Sequence, residues 1–97
     1  MSSDYIILLD VHVEGMENIL SDFKWSVKTV TKLFGDSEEA RKDQNVITYA
    51  QSNKNCIVVS QDHDLIRRCR TLGIKVVGLE MDDLAKLVNE MLKKEFS

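Results

Sequence analysis

The stretch "NCIVVSQDHDLIRR" (residues 55–68) decides which fold the sequence predicts. Its apolar run, "CIVVS" at 56–60, is short and rich in β-branched residues, which is typical of a buried strand. A polar turn containing Asp62 and Asp64 follows, and beyond it apolar residues recur at helical spacing and predict a helix. These apolar residues are Leu65, Ile66, Cys69 and Leu72. The stretch therefore predicts a strand that leads directly into a helix, with two acids between them.

Three further segments are predicted to be strands, at residues 5–10, 26–34 and 75–79. The first, "YIILLD", is apolar up to its final acid, which indicates a strand covered on both faces. The second, "SVKTVTKLF", begins with alternating β-branched and polar residues, which indicates a more exposed strand. The third, "KVVGL", is again short and apolar.

Three further helices are predicted around these strands from apolar residues at helical spacing. Their apolar positions are Met16, Ile19, Leu20 and Phe23; then Val46, Ile47 and Ala50; and finally Leu84, Leu87, Val88, Met91 and Leu92. Acidic residues stand where three of the four predicted helices need an N-cap. They are Asp43 before Val46, Asp64 before Leu65, and either Asp82 or Asp83 before Leu84. Gly73 is expected to end the helix that follows the third strand.

Strands that alternate with helices predict a parallel sheet joined by right-handed crossovers. We therefore expect an α/β fold, a small three-layer sandwich with a four-stranded parallel sheet in the order 2-1-3-4 and helices on both faces. Residues 1–97 are long enough for one such domain. Ligands bind such sheets at the carboxyl ends of the strands, where the strand order reverses, which here is between the first and third strands.

Acids end both of those central strands. Asp10 ends the first, and Ser60 and Asp62 end the third. Neighbouring strands lie about 4.8 Å apart, so these carboxylates would repel one another unless a cation lay between them. Oxygen ligands without cysteine suit Mg²⁺ or Mn²⁺, and such an ion can position a water and stabilise charge on a phosphodiester.

Composition narrows the class of protein further. The chain is 43% hydrophobic and 30% charged, which excludes a disordered or fibrous protein, and its net charge of −3 argues against coating nucleic acid by bulk charge. No apolar run is long enough for a membrane span and no signal peptide is visible, so we expect a cytoplasmic protein. Cys56 and Cys69 lack a metal-type spacing and are expected to be buried thiols.

Four segments follow one another in an order that is more specific than any of them alone. They are "LLD" (8–10), "DQNVITYA" (43–50), "IVVSQDHDL" (57–65) and "LGIKVVGL" (72–79). Together they resemble a minimal PIN-like domain, of the kind related to VapC-type toxin ribonucleases, over residues 5–80.

This resemblance implies a metal-dependent endoribonuclease with the PIN-like fold, Mg²⁺ or Mn²⁺ as cofactor and RNA as substrate. It also implies that an antitoxin protein is a partner. The matching catalytic residues are Asp10, Asp43, Asp62 and Asp64, with Asp10, Asp62 and Asp64 as metal ligands and Ser60 as the hydroxyl residue that precedes the acidic turn.

Basic residues near these acids are candidates for holding RNA phosphates. They are Arg67, Arg68 and Arg70, with Lys75 just beyond. His12 would share a side with Asp10 if the first strand continues past it, and it is a further candidate phosphate contact. His63 is expected to point away from the site. Trp25 and Phe34 are expected to be core or dimer contacts.

Three functions remain open on the sequence alone. The first is the nuclease. The second is a PIN-like module that binds RNA or protein without catalysis, because Val11 and His12 stand where the relatives carry a further polar or acidic residue after Asp10. The third is a phosphate-handling domain of the receiver or Toprim type, although a Toprim domain needs a glutamate where this chain has Asp10.

The apolar stripe of the last helix leaves two structural alternatives open. The stripe either forms a homodimer contact, as is common among PIN-like domains, or covers the open face of the chain's own sheet.

Overall fold

The computed structural model describes residues 4–96, and the sheet that they form has four strands. The strands are β1 (Ile6–Leu9), β2 (Ser26–Thr29), β3 (Cys56–Ser60) and β4 (Lys75–Gly78). They are all parallel and lie in the order β2-β1-β3-β4. The predicted α/β class, parallel sheet and strand order are therefore confirmed.

A short 3-10 helix and five α-helices connect and follow the strands. The 3-10 helix spans Val11–Met16, and the α-helices are α1 (Glu17–Asp22), α2 (Val30–Phe34), α3 (Asp43–Ser52), α4 (His63–Thr71) and α5 (Met81–Phe96). The strand predicted over 26–34 is thus wrong in its second half. The hydroxyl of Thr29 accepts a hydrogen bond from the Lys32 amide at 3.2 Å, which caps α2 and ends the strand.

One face of the sheet is fully packed. Leu8 of β1 and Val58 of β3 are completely buried there against α3 and α4, which contribute Ile47 and Leu65 among others. Both cysteines are free thiols in this cluster, as predicted, and burial raises the pKa of Cys56 to about 11. The same face explains one glycine: a Cβ on Gly78 would come within 2.8 Å of Ile66, so only glycine lets β4 approach α4.

The opposite face is covered over β2, β1 and part of β3 by the 3-10 helix and α1. The predicted helical stripe on this segment is half wrong, because Met16 and Leu20 pack on the sheet whereas Ile19 and Phe23 are exposed. The segment begins as a 3-10 helix, which has three residues per turn, so apolar residues at α-helical spacing do not all lie on one face of it. Over β4 the face stays open, because Val77 is 49% exposed.

Two of the predicted helix caps are also wrong. Asp43 is the first residue of α3, behind Lys42, and makes no capping bond. At α5, Asp83 lies inside the helix. Its carboxylate accepts a hydrogen bond at 3.2 Å from the amide of Glu80, the residue that precedes the helix. Gly73 has a φ of +73° just after α4 and ends it as expected.

Between residues 4 and 96, no helix is both long enough and apolar enough to cross a membrane.

Candidate functional site

A hydrogen-bonded chain of three polar residues joins the carboxyl ends of the two central strands. The strand register places Leu9 beside Val59, so Asp10 and Ser60 are neighbours. The Ser60 hydroxyl donates to Asp10 Oδ2 at 2.8 Å and accepts from the Asp62 amide at 2.9 Å. Ser60 is fully buried and Asp10 is 4% exposed. Since a buried polar group is stable only when it is hydrogen-bonded, this chain fixes the position of the Asp10 carboxylate.

Asp10 also has a local task that the sequence did not suggest. Its Oδ1 accepts a hydrogen bond from the Val11 amide at 2.9 Å, which makes it the N-cap of the 3-10 helix. The strand therefore ends at Leu9, so the condition under which His12 would share a side with Asp10 is not met. His12 is exposed on the 3-10 helix, and its proposed place beside Asp10 does not follow from the strand period.

Asp62, not Asp64, is the N-cap of α4. Its Oδ1 accepts from the amides of Asp64 at 2.9 Å and Leu65 at 3.2 Å, so the helix begins at His63. The prediction placed the cap two residues too far along the chain, because both aspartates are of the residue type that N-caps prefer. Capping uses only one carboxylate oxygen of Asp62 and leaves Oδ2 outside these bonds.

Asp43 comes from α3 and adds a third carboxylate to the same region. Partial burial, followed by the negative charges of Asp62 and Asp10, raises the pKa of Asp43. Asp64 raises it further and the Arg68 guanidinium lowers it. These electrostatic effects mean that the four predicted acids lie in one neighbourhood, where their charges repel.

The remaining predicted contacts lie on the solvent side of α4. Asp64 is exposed and pairs with Arg67 at 3.2 Å, an ion pair one turn apart on the helix surface. Arg68 is also exposed and donates to the Gln44 side chain on α3 at 3.1 Å. Gln44 was not predicted, although its position directly after Asp43 in "DQNVITYA" could have suggested it.

Arg70 and Lys75 make their contacts with groups other than the four predicted acids. Arg70 pairs with Glu80 at 3.1 Å, and the Nδ1 atom of His63 lies 2.8 Å from the same carboxylate. Lys75 bonds to the Lys54 carbonyl at 3.1 Å and lies at the amino end of β4, away from the carboxyl edge. Glu80 was not predicted, although it too is an acid that follows a strand. His63 and Arg70 lower the pKa of Glu80 by hydrogen bonding and charge.

Metal binding at the acidic edge depends on how its carboxylates are grouped. From Asp4 to Phe96, no three His, Cys, Asp or Glu side chains are grouped so that they could hold one ion together. Mg²⁺ typically keeps several waters and binds through one or two carboxylates. Each carboxylate oxygen of Asp10 accepts one hydrogen bond and Asp62 Oδ2 lies outside the capping bonds, so both side chains keep unused lone pairs.

Comparison of the chain with protein-family models, with curated proteins and with solved structures found no match. The α/β fold and the acidic carboxyl edge define the class of protein: a parallel-sheet domain with carboxylates at the reversal of strand order.

Proposed function

We propose that the carboxyl edge of the sheet is the active site of a PIN-like, Mg²⁺- or Mn²⁺-dependent endoribonuclease. The observation that carries the proposal is the buried chain from Asp10 through Ser60 to Asp62. It fixes the Asp10 carboxylate and the backbone of Asp62, whose own carboxylate caps α4, at the place where parallel sheets bind ligands.

In this proposal Asp10 and Asp62 would hold the ion, because each is fixed by hydrogen bonds and keeps oxygen lone pairs. Asp64 would support it as a further ligand or through a water. When bound, the ion would neutralise charge on the scissile phosphodiester and position a water. Asp43 would accept the proton of that water, because a raised pKa makes a carboxylate a stronger base.

Arg68 would hold a phosphate that flanks the scissile bond. Its guanidinium is exposed, is held on one side by Gln44, and is close enough to Asp43 to lower its pKa. Arg67 is paired with Asp64 and would contribute less unless that pair opens. His12 is exposed and remains a candidate phosphate contact at the neighbouring 3-10 helix.

The test is cleavage of single-stranded and hairpin RNA in the presence of Mn²⁺, with Asp10→Asn beside the wild type. We expect wild-type cleavage that EDTA abolishes, and a loss of at least about 100-fold in Asp10→Asn, which corresponds to about 2.7 kcal/mol of transition-state stabilisation. Asp36→Asn removes an exposed acid of the same charge that is not one of the four candidate site acids, and it should cleave as the wild type does.

Thermal unfolding with and without Mn²⁺ checks the same variants independently. A metal that binds only the folded chain raises the melting temperature, and this rise should persist in Asp36→Asn and be lost in Asp10→Asn. Cleavage that survives in Asp10→Asn would assign the activity to a contaminant, and equal metal responses in all three proteins would remove the ion from this edge.

The second candidate function is a PIN-like module that binds RNA or protein without cleaving it. The observation that favours it is that both Asp10 oxygens already accept hydrogen bonds. Wild-type RNA binding without cleavage at any Mn²⁺ concentration would select this function.

We further propose that the protein is cytoplasmic and that an antitoxin protein restrains its activity. A small protein that copurifies with the chain and blocks its cleavage of RNA would support the antitoxin proposal.

A further inference from the structure

An apolar groove lies on the open half of the sheet, over β3 and β4. Its floor is formed by Ile57, Val59 and Val77, and one wall by Met16, Leu20 and Trp25. The groove has a volume of about 300 Å³. An engineered cavity of about 150 Å³ takes one benzene, so this groove can take about two side chains of that size.

A second apolar surface of the same chain is the stripe of α5. Leu87, Val88, Met91 and Leu92 are between 53% and 63% exposed, and Phe96 extends the stripe at 83%. Isolated exposed apolar residues are common, but a continuous stripe of them marks a surface that binds another protein. Among residues 4–96, the ones that line the groove include none from α5. The alternative that this stripe covers the chain's own sheet is therefore wrong for this conformation.

The start of α5 is fixed in its direction by contacts with α4 and β3. Glu80 pairs with both His63 and Arg70, and its amide donates to Asp83. Just before it, the Leu79 amide donates to the Ser60 carbonyl at 2.8 Å. Folding α5 back onto its own groove would have to rearrange these bonds within the two residues between Gly78 and Met81.

We propose that two copies of the chain exchange their last helices, so that the α5 stripe of each copy packs into the sheet groove of the other. The two surfaces are complementary because both are apolar, and every chain carries one of each. A reciprocal exchange places each stripe against a groove and closes the assembly at two copies.

The area involved is sufficient for a stable dimer. A helix of 16 residues is about 24 Å long, and its exposed stripe amounts to roughly 500 Å² of apolar surface. Two stripes amount to roughly 1,000 Å². The groove side chains that they cover add to this area, so the interface is on the order of the ~1,200 Å² at which stable interfaces begin. The opposite side of α5, which carries Lys86 and Lys93, would remain in water.

Cross-linking between two variants that each gain one exposed cysteine tests which surfaces meet. Val77→Cys places a thiol on the groove floor and Met91→Cys places one on the stripe. A short bis-maleimide should give a covalent dimer when the two variants are mixed, and much less with either variant alone or with wild type, whose two cysteines are buried. A mixture of Val77→Cys with Lys86→Cys, which carries its thiol on the charged side of α5, should cross-link far less.

Three results would overturn the exchange. Efficient cross-linking of Met91→Cys alone would show that two stripes pair with each other. A cross-link confined to one chain in the Val77→Cys, Met91→Cys double variant would show that α5 closes on its own groove. A monomer mass by light scattering at micromolar concentration would remove the dimer altogether.

A charge-matched pair of variants tests the stripe without cross-linking. Leu87→Glu with Met91→Glu should convert the dimer to a monomer that still unfolds cooperatively, because the buried cluster against α3 and α4 is untouched. Lys86→Ala with Lys93→Ala changes the net charge by the same amount and should stay dimeric. Equal masses for the two double variants would contradict the proposal.

Discussion

The inner and outer parts of the acidic edge are built in opposite ways. The inner residues, Asp10, Ser60 and Asp62, are joined by hydrogen bonds, and two of the three are buried. The outer residues, Asp64, Arg67 and Arg68, are exposed and make ion pairs or hydrogen bonds on helix surfaces. Buried bonds cannot be exchanged for water without cost, whereas exposed ion pairs contribute little to stability. The inner residues should therefore set the geometry of the site and the outer ones should adjust its affinity.

The largest effect on stability is expected from Ser60→Ala. The change leaves a buried oxygen of Asp10 and the Asp62 amide without their common partner, which should cost about 1–3 kcal/mol of unfolding free energy. Urea denaturation measures this loss. Ser52→Ala, at the exposed end of α3, should change stability by no more than about 0.5 kcal/mol. Similar losses in both variants would mean that the inner hydrogen bonds do not hold the edge together.

A smaller effect is expected when the two neighbouring arginines of α4 are compared. Arg68→Gln should weaken RNA binding roughly fivefold, about 1 kcal/mol, and lower its salt dependence, because a phosphate contact is lost. Arg67→Gln should weaken it less, since Arg67 is paired with Asp64. Fluorescence anisotropy with labelled RNA at several salt concentrations measures both. A larger loss in Arg67→Gln would mean that Arg67, and not Arg68, contacts the phosphate.

The smallest effect concerns pH and Asp43. Burial and the neighbouring carboxylates raise its pKa in the folded chain above 3.8, so the folded state binds this proton more readily than the unfolded state. The contribution of Asp43 to stability must then fall as the pH rises from about 3.8 through the raised pKa. Asp43→Asn removes this loss, so it should be more stable than wild type at neutral pH.

Unfolding of Asp43→Asn, measured from pH 3 to pH 7, checks this sign. The advantage should disappear toward the acidic end and be reduced by Mn²⁺, which would neutralise the same repulsion. Asp36→Asn, in an exposed loop, should show neither trend. An advantage of Asp43→Asn that is independent of pH would contradict the electrostatic origin.

The regularities of the sequence were enough to predict the strand order and the location of the acids. Apolar runs of strand length and helical stripes produce the βα alternation, and the handedness of the crossovers then restricts the topology. The errors fell at the ends of elements. Thr29 began a helix inside a predicted strand, and Asp62 took the cap expected of Asp64, because capping depends on which side chain reaches an amide in space.

The sequence by itself determined that Asp10, Ser60 and Asp62 follow the two strands that a 2-1-3-4 sheet places side by side. Only the tertiary structure decided that the buried Ser60 hydroxyl joins Asp10 to Asp62, and that burial and neighbouring carboxylates raise the pKa of Asp43. It also decided that the α5 stripe lies free of the sheet. Local spacing fixes which residues share a strand end or a helix face, but burial and hydrogen-bond partners depend on segments that are distant in the chain.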